Sequence, residues 1–525
     1  MTTSYLLITL VAMFGHAEDF LATSLLSRPL VLGPLVGLVL GDLNQGIMIG
    51  ASLEAIFMGN IKVGAAIPPD VITGGVLGTA FALLSGQGAA VALTLAVPIS
   101  ILAEMLISSL FIFRSAFNKK FAEAAEAGDF ERFQRLHIGS GLLKPLLMGI
   151  VVYLSLELGA SAMKSLLESI PPAVNKALHV AGNMLPALGI ALLMNVMFNR
   201  RMAPWFFLGF LLSSFLQLPM IAVAALGVVL ALMVSNFATA ETGDGTPGAN
   251  EAEASDEAPA HLAALSPSDI RSIFYRSFTL EANFNFETCQ NTGFAYSIMR
   301  VLKKVYPTRD RIAIALKRHL QFFNTSPYGS TLILGIAAAM EEQNSRSKDF
   351  DDASINNVKL ALMGPVAGIF DSLFWGTLKV IAAGVGVSLA MNGSILGPVL
   401  FILLFNVPHF LVRYQLTFIG YRQGHRFLQK ISGSQIMDKL TTGAAIVGLM
   451  VVGAMPALLM SVSTPVEVAD GVSLQSTLDK IVPQMIPLGC TMITYALLQR
   501  QVKTTYLLLA LLVVGFLGSL LNILS

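Results

Sequence analysis

Long apolar runs, broken at intervals by glycine, proline and single charged residues, set the pattern of this chain. The plainest runs are 71–113, 138–160, 203–235, 443–462 and 504–524. A hydrocarbon layer of ~30 Å takes about 20 residues of helix, so the runs predict membrane-crossing segments. The pattern is that of an all-α polytopic membrane protein. Two stretches within it refuse a single continuous helix. In GNIKVGAAIPPDVITGG, Pro68 and Pro69 remove donors while Gly59, Gly64, Gly74 and Gly75 loosen the backbone, and MGPVAGIFDSLFWG carries the same punctuation. Broken backbone at membrane depth is tolerated only where it lines a cavity or is buried in protein, so both stretches predict discontinuous or re-entrant elements.

The texture changes between 238 and 266, where six carboxylates stand among Ala, Gly, Pro and Ser with no Lys or Arg. Such a stretch cannot bury enough apolar surface to offset its ordering entropy and predicts a flexible acidic linker. It leaves a membrane domain at 1–237 and a second domain at 267–525. Within the latter, 267–325 holds nine Lys/Arg and four Asp/Glu in helix-prone sequence, with Ser268 placed to cap. It predicts amphipathic helices on the cytoplasmic surface, ahead of a membrane part at 326–525.

The two halves echo one another. FMGNIKV at 57–63 returns as FWGTLKV at 374–380, each with a carboxylate three residues upstream, Glu54 and Asp371. The segments 185–212 and 486–513 share one plan: a proline near the start, an apolar helix, a short basic hinge and a second apolar helix. Upstream of each lies a basic amphipathic stretch followed by a glycine-punctuated apolar run. Four echoes in one order predict two structurally similar halves, a common transporter design. Segment 114–137 carries five Lys/Arg against two in 161–183, and 413–440 carries five against one in 463–485. The basic segments then face the cytoplasm, and the repeats point the same way about an axis along the membrane normal.

Composition narrows the function classes. At 54% hydrophobic, 12% charged and a mean hydropathy of +0.71, the chain is too apolar for a soluble globule, whose charged fraction is about 25%. A net charge of +1 carries no message about nucleic acid. Cys289 and Cys490 form no disulfide or metal pattern and read as inert small side chains. The first 20 residues lack a basic leader and a small-x-small cleavage site, so they read as the start of the mature chain. No phosphate-loop, H-E-x-x-H or G-x-S-x-G motif is present, which argues against an ATP-driven pump or a membrane protease and calls for no cofactor or metal.

What remains is a set of polar groups embedded in apolar sequence. An acidic residue inside a membrane costs roughly 3 kcal/mol, so it is a functional candidate that faces a cavity or the bundle interior. Glu54, Asp70 and Asp371 qualify, with Asn60 between the first two. Glu104 reads equally as an interhelical hydrogen bond, and Asp42 as a helix end. Lys62 and Lys379, the repeated lysines, either snorkel or pair with a carboxylate. Trp375 offers an apolar face to a pyranose ring, while carboxylate and amide oxygens accept from its hydroxyls. Asn324 and His319 are lesser candidates. The same oxygens could coordinate a cation, and the residues by themselves leave sugar and cation open.

Residues 28–83, RPLVLGPLVGLVLGDLNQGIMIGASLEAIFMGNIKVGAAIPPDVITGGVLGTAFAL, resemble the IIC component of the mannose-class sugar phosphotransferase permeases. SDIRSIFYRSF, RHLQFFNTSPYGSTLILGIAAAMEEQ and VKLALMGPVAGIFDSLFWGTL resemble the IID component. The resemblance implies a broken-helix membrane path for a hexose or amino sugar in a multi-pass inner-membrane protein, commonly a trimer of IIC–IID pairs. It further implies that phosphate arrives through separate IIA and IIB phosphocarriers, with no phosphorylated residue in this chain. Two departures stand out: the acidic linker fuses components usually kept apart, and Ser372 and Ser326 replace the proline and the His or Gln common in IID, which bears on sugar identity. The rival readings are a cation-coupled secondary transporter and a membrane sensor or toxin-docking protein without transport.

Overall fold

The computed structural model describes residues 2–59, 69–86, 88–168, 186–198, 201–240, 265–346, 352–424, 435–469, 472–502 and 504–525, with a few further positions at 176–184 and Phe350. In the first half the helices are α1 (Thr2–His16), α2 (Pro29–Leu40), α3 (Leu43–Phe57), α4 (Val71–Ser85), α5 (Gly88–Ser115), α6 (Asn118–Glu126), α7 (Phe130–Glu168), α8 (Pro186–Met197), α9 (Ala203–Phe215) and α10 (Met220–Ala240). In the second they are α11 (Pro267–Arg276), α12 (Asn291–Val305), α13 (Arg309–His319), α14 (Ser330–Arg346), α15 (Asp352–Leu373), α16 (Lys379–Ala390), α17 (Leu396–Gln423), α18 (Gln435–Leu459), α19 (Leu474–Ile481), α20 (Met485–Gln499) and α21 (Thr504–Leu520). A short antiparallel hairpin, Glu467–Ala469 with Val472–Ser473, is the departure from an all-helical chain among the described residues.

Four described helices are long and apolar enough to cross a membrane: Gly88–Glu126, Phe130–Gly159, Asp352–Ala390 and Leu396–Arg422. Other predicted runs are broken by identifiable backbone events. The 71–113 run turns between α4 and α5 at Gly86 and Gly88, both at positive φ, where glycine alone is unstrained. The 203–235 run breaks at Gln217, also at positive φ, ahead of Pro219. Helices α19 and α20 form a bent pair at 79°, with Gln484 at positive φ in the joint.

The two copies of the repeated phrase take different shapes. In the first, α3 ends at Phe57 and α4 restarts at Val71 with Asp70 as its N-cap, so the predicted break is present, while Asn60 and Lys62 lie outside the described residues. In the second, the predicted break is absent: α15 runs into α16 through one π-helical turn, Phe374–Leu378. A π turn absorbs an extra residue without ending the helix, and Thr377 Oγ1 donates to Ser372 O, five residues back, at 3.1 Å. The N-cap of α11 is Ser266 rather than Ser268. Pro267 suits the first helical position and Asp269 completes a capping box with Ser266.

The halves are interlocked. Helices α9 and α10 pack on α18, α8 on α20, and α16 on α3. At one end of the bundle, α12, α13 and the loop preceding α12 cover the basic 114–137 segment. There Lys317 Nζ donates to Glu126 Oε1 at 2.6 Å, Asn118 Nδ2 to Glu287 Oε2 at 2.8 Å, and the His137 ring stacks on Tyr296 at 4.7 Å. At the other end, Asn183 Nδ2 donates to Ser461 O, and the backbones of Ser463 and Ser525 exchange hydrogen bonds at 2.9 and 3.0 Å.

The crossing of α9 and α18 depends on two glycines. A Cβ at Gly209 would stand 1.9 Å from Met450 O, and one at Gly453 would stand 1.9 Å from Phe206 O. Small residues at such crossings let helix backbones approach within the membrane. Gly453→Ala is therefore expected to destabilise the protein by about 1–3 kcal/mol through overpacking. Thermal unfolding of the purified chain in detergent checks this, with Gly364→Ala, where a Cβ meets open space, leaving the transition in place.

Candidate functional site

The segment between α1 and α2, HAEDFLATSLLSRP, builds one wall of an internal cavity. After a 3₁₀ turn at Ala17–Phe20 the backbone enters the left-handed region at Ala22, Thr23 and Leu25, with φ of 62°, 57° and 60°. A β-branched residue there is an outlier, and each such position costs of order 1–3 kcal/mol. The second half of the chain holds the turn in place. Ala22 N donates to Phe278 O at 3.0 Å, Arg413 Nη1 to Ala22 O at 3.2 Å, Tyr328 Oη to Thr23 O at 3.4 Å, and Asn406 Nδ2 to Ser24 O at 2.9 Å. Thr23 Oγ1 in turn donates to Glu281 Oε2 at 2.7 Å.

The cavity behind this turn is small, about 80 Å³. Four carboxylates line it, Glu18, Asp19, Asp70 and Glu104, with two cations, Arg28 and Lys144. Thr23 and Ser27 add hydroxyls, and Phe111 and Trp375 add aromatic surface. Each charge is anchored. Lys144 Nζ donates to Asp19 Oδ2 at 2.8 Å, Ser27 Oγ donates to Glu18, and Ser108 Oγ donates to Glu104 Oε1 at 2.6 Å within α5. Asp70 accepts from Thr73 N at 2.9 Å as the α4 N-cap, and His16 Nε2 stands 3.7 Å from it and 3.0 Å from Thr73 Oγ1.

Glu54 lies beneath this wall, fully buried. Arg28 Nε donates to its two oxygens at 2.9 and 3.1 Å, and Nη2 to Oε1 at 2.8 Å and to Phe57 O at 2.6 Å. The bidentate fork ties the start of α2 to the end of α3. Lys379 does not snorkel: it is fully buried, its Nζ 4.9 Å from the Trp375 ring centroid and in electrostatic range of both Arg28 and Glu54. Trp375 thus connects the cavity to the second copy of the repeated phrase. Beside it, Tyr328 stacks on Phe374 at 4.5 Å and meets Trp375 edge-on at 5.8 Å.

Of the residues singled out from the sequence, Asp70 and Trp375 meet at the cavity, and Glu54 reaches it through Arg28. Asp42 is the N-cap of α3, accepting from Gln45 N at 3.0 Å. Glu104 lines the cavity, but its hydrogen bond is to its own helix rather than between helices. Asp371 is partly buried outside the lining, in electrostatic range of Glu281 and Tyr328. Asn324 is held by its backbone N–H, 3.2 Å from Met363 Sδ. His319 is buried at the surface-helix end, its Nε2 2.9 Å from Glu341 Oε1, which also accepts from Tyr306 through Oε2 at 2.6 Å. Burial pushes the His319 imidazole down to about 4, so it stays neutral at physiological pH. The sequence reading missed Glu18, Asp19, Thr23, Ser27, Arg28 and Lys144. The available signal was the density of polar residues in HAEDFLATSLLSRP between two apolar helices.

Comparison with known proteins identifies both halves of the chain. Residues 2–233 match the family model described as the PTS system sorbose-specific IIC component, and residues 264–524 match that of the PTS system mannose/fructose/sorbose family IID component. The second half is 37% identical over 270 residues to the sorbose-specific EIID component of Klebsiella pneumoniae, covering 50% of this chain and 98% of that protein. The first half is 30% identical over 233 residues to the mannose-specific EIIC component of Escherichia coli K12, covering 44% of this chain and 88% of that protein. A cryo-EM structure of the mannose transporter ManYZ with microcin E492 matches at 36% identity over 50% of this chain and 98% of that one, with a TM-score of 0.30. The chain belongs to the mannose/fructose/sorbose family of the phosphotransferase system and joins the IIC and IID components of a multi-pass membrane permease.

The Arg28–Glu54 fork carries a prediction. Breaking a buried ion pair by removing one partner costs about 3–5 kcal/mol, because the other charge is left desolvated. Arg28→Met is expected to lower the thermal unfolding midpoint in detergent sharply, and Arg28→Met with Glu54→Gln to recover most of the loss. A double variant as unstable as the single one would show that Arg28 does not act through Glu54.

Proposed function

We propose that this chain is the sugar path of a phosphoenolpyruvate-dependent phosphotransferase system. It carries a hexose or amino sugar of the mannose, glucose, fructose, sorbose or N-acetylhexosamine type inward, and a separate IIB protein, recharged through IIA, phosphorylates it. The observation that carries this reading is the polar cavity behind the 22–25 turn, where Asp70, Asp19, Arg28 and Lys144 gather beside Trp375 of the second half. Carboxylates accept from sugar hydroxyls, the cations donate to them, and the indole face covers the apolar side of the ring. Asp70 and Trp375 touch the sugar and Glu54 positions Arg28; Asn60, an acceptor candidate from the sequence, lies outside the described residues. Asp371, Asn324 and His319 shape the second half. Reconstitution with the cytoplasmic phosphocarriers, assaying several hexoses and amino sugars for phosphoenolpyruvate-dependent phosphorylation, tests the reading. Uptake of unmodified sugar along a cation gradient would overturn it in favour of a secondary transporter.

The same proposal includes a IIC domain at 1–237 and a IID domain at 267–525, similar in structure, facing the same way and joined by the 238–266 tether, in a homotrimer. Contact between the corresponding helices α8 and α20, where Gln499 Nε2 donates to Asn195 Oδ1 at 2.8 Å and Phe198 meets Tyr495 at 5.4 Å, supports a twofold relation between the halves.

Two outcomes are expected. Asp70→Asn, which keeps the helix cap, weakens sugar binding by about 10- to 150-fold, the effect of one lost charged hydrogen bond, and Glu54→Gln weakens it by releasing Arg28, while Asp371→Asn costs far less. Equilibrium binding on the three folded variants checks the order. Expression of 1–238 and 266–525 as separate chains preserves phosphorylation, because a solvated tether contributes effective concentration rather than contacts. Loss of activity with both fragments inserted and associated would refute the tether.

A further inference from the structure

An open cleft on the surface helices α11 and α12 is lined by Ser268, Arg271, Ser272, Tyr275, Arg276 and Arg300. Its three guanidinium groups face one nearby carboxylate, Asp269, which pairs with Arg300. Arg276 donates through Nε to Tyr296 O at 2.8 Å and stacks on the Tyr296 ring at 3.8 Å, while its Nη2 is buried and finds no acceptor among the described residues. Burial and the nearby Arg300 both push Arg276 below its ordinary value. Among the described residues Arg271 reaches Pro267 O of its own helix, at 3.4 Å. Asp269, beside the cleft, is engaged in the Ser266 capping box and stands 3.4 Å from Arg300. The cleft is therefore built for an additional anion.

Its surroundings indicate which anion. Tyr275, 63% exposed, forms one side of the cleft and meets Phe274 at 5.2 Å, which in turn meets Tyr414 of α17 at 5.4 Å. From Tyr414 an exposed apolar stripe continues along this membrane-length helix through Leu411, Val407 and Leu404 at spacings of three and four. These residues share one helix face, so an apolar chain can lie against them. Clustered arginines at the end of such a stripe, with an exposed tyrosine between, match the inner-leaflet interface, where each cation near the surface favours anionic lipid.

We propose that the Arg271–Arg276–Arg300 cleft binds the headgroup phosphate of an anionic phospholipid, whose acyl chain lies along the Tyr414–Leu404 stripe. Native mass spectrometry of the full chain in detergent, titrated with phosphatidylglycerol or with phosphatidylcholine of the same acyl chains, tests it. The intact protein is expected to prefer phosphatidylglycerol. Arg271→Gln with Arg300→Gln, both exposed side chains, is expected to weaken that binding by about fivefold per arginine removed and leave phosphatidylcholine unaffected. Val407→Ser with Leu411→Ser is expected to weaken both lipids. Equal binding of the two lipids, or unchanged phosphatidylglycerol affinity in the arginine variant, would overturn the proposal. Displacement of the lipid by millimolar inorganic phosphate would assign the cleft to a free phosphate instead. Loss of an oligomer in the stripe variant with lipid binding intact would assign the stripe to a second copy of the chain.

Discussion

A left-handed turn at Ala22–Leu25 cannot hold its shape alone, and the architecture follows from what holds it. Three non-glycine residues at positive φ oppose the turn by several kcal/mol. The opposing forces come from Phe278, Tyr328, Asn406 and Arg413, all in the second half, with Thr23 returning a bond to Glu281. The turn is thus a seam: the IIC-like half supplies the strained backbone and the IID-like half supplies the hydrogen bonds. The same turn presents Glu18, Asp19, Ser27 and Arg28 to one space, to which the second half adds Trp375. This gives a physical reason for the two components to act as one unit, whether fused or separate.

Charge inside a low-dielectric bundle imposes the next constraint. An isolated ion there is too costly, so each must be paired, and pairing also fixes direction. Lys144 on Asp19 links α7 to the turn, and Arg28 on Glu54 links α2 to α3. Arg413, fully buried, spans from Ala22 O to Ser277, where Nη2 meets O and Oγ at 2.8 and 2.7 Å. These contacts are positional as much as energetic: they aim Arg28 and Lys144 at the cavity and Arg413 at the turn.

The repeated phrase shows how one sequence pattern serves two shapes. Two consecutive prolines precede Asp70, and the backbone restarts there under the cap that Asp70 itself provides. The second copy has a single proline, Pro365, well upstream, so the helix passes through and stores its extra residue as a π turn. That turn carries Phe374 and Trp375 against Tyr328, and Trp375 on to the cavity. One copy is a joint and the other a continuous strut.

Much was determined by the sequence itself. Hydropathy placed the chain in a membrane, and the double proline with Asp70 marked the broken element, because each depends on local chemistry that no packing reverses. Trp375 and Asp70 were legible for the same reason. Tertiary structure decided the rest. Glu54 resembles a free site carboxylate until Arg28, 26 positions away, is seen to hold it. Lys379 resembles a snorkelling lysine until its burial under Trp375 is seen. The polar residues of 16–28 resemble an ordinary loop until groups some 250 to 390 positions along the chain reach back to them. Pairing energy between buried charges depends on distance in space, and sequence separation carries no information about it.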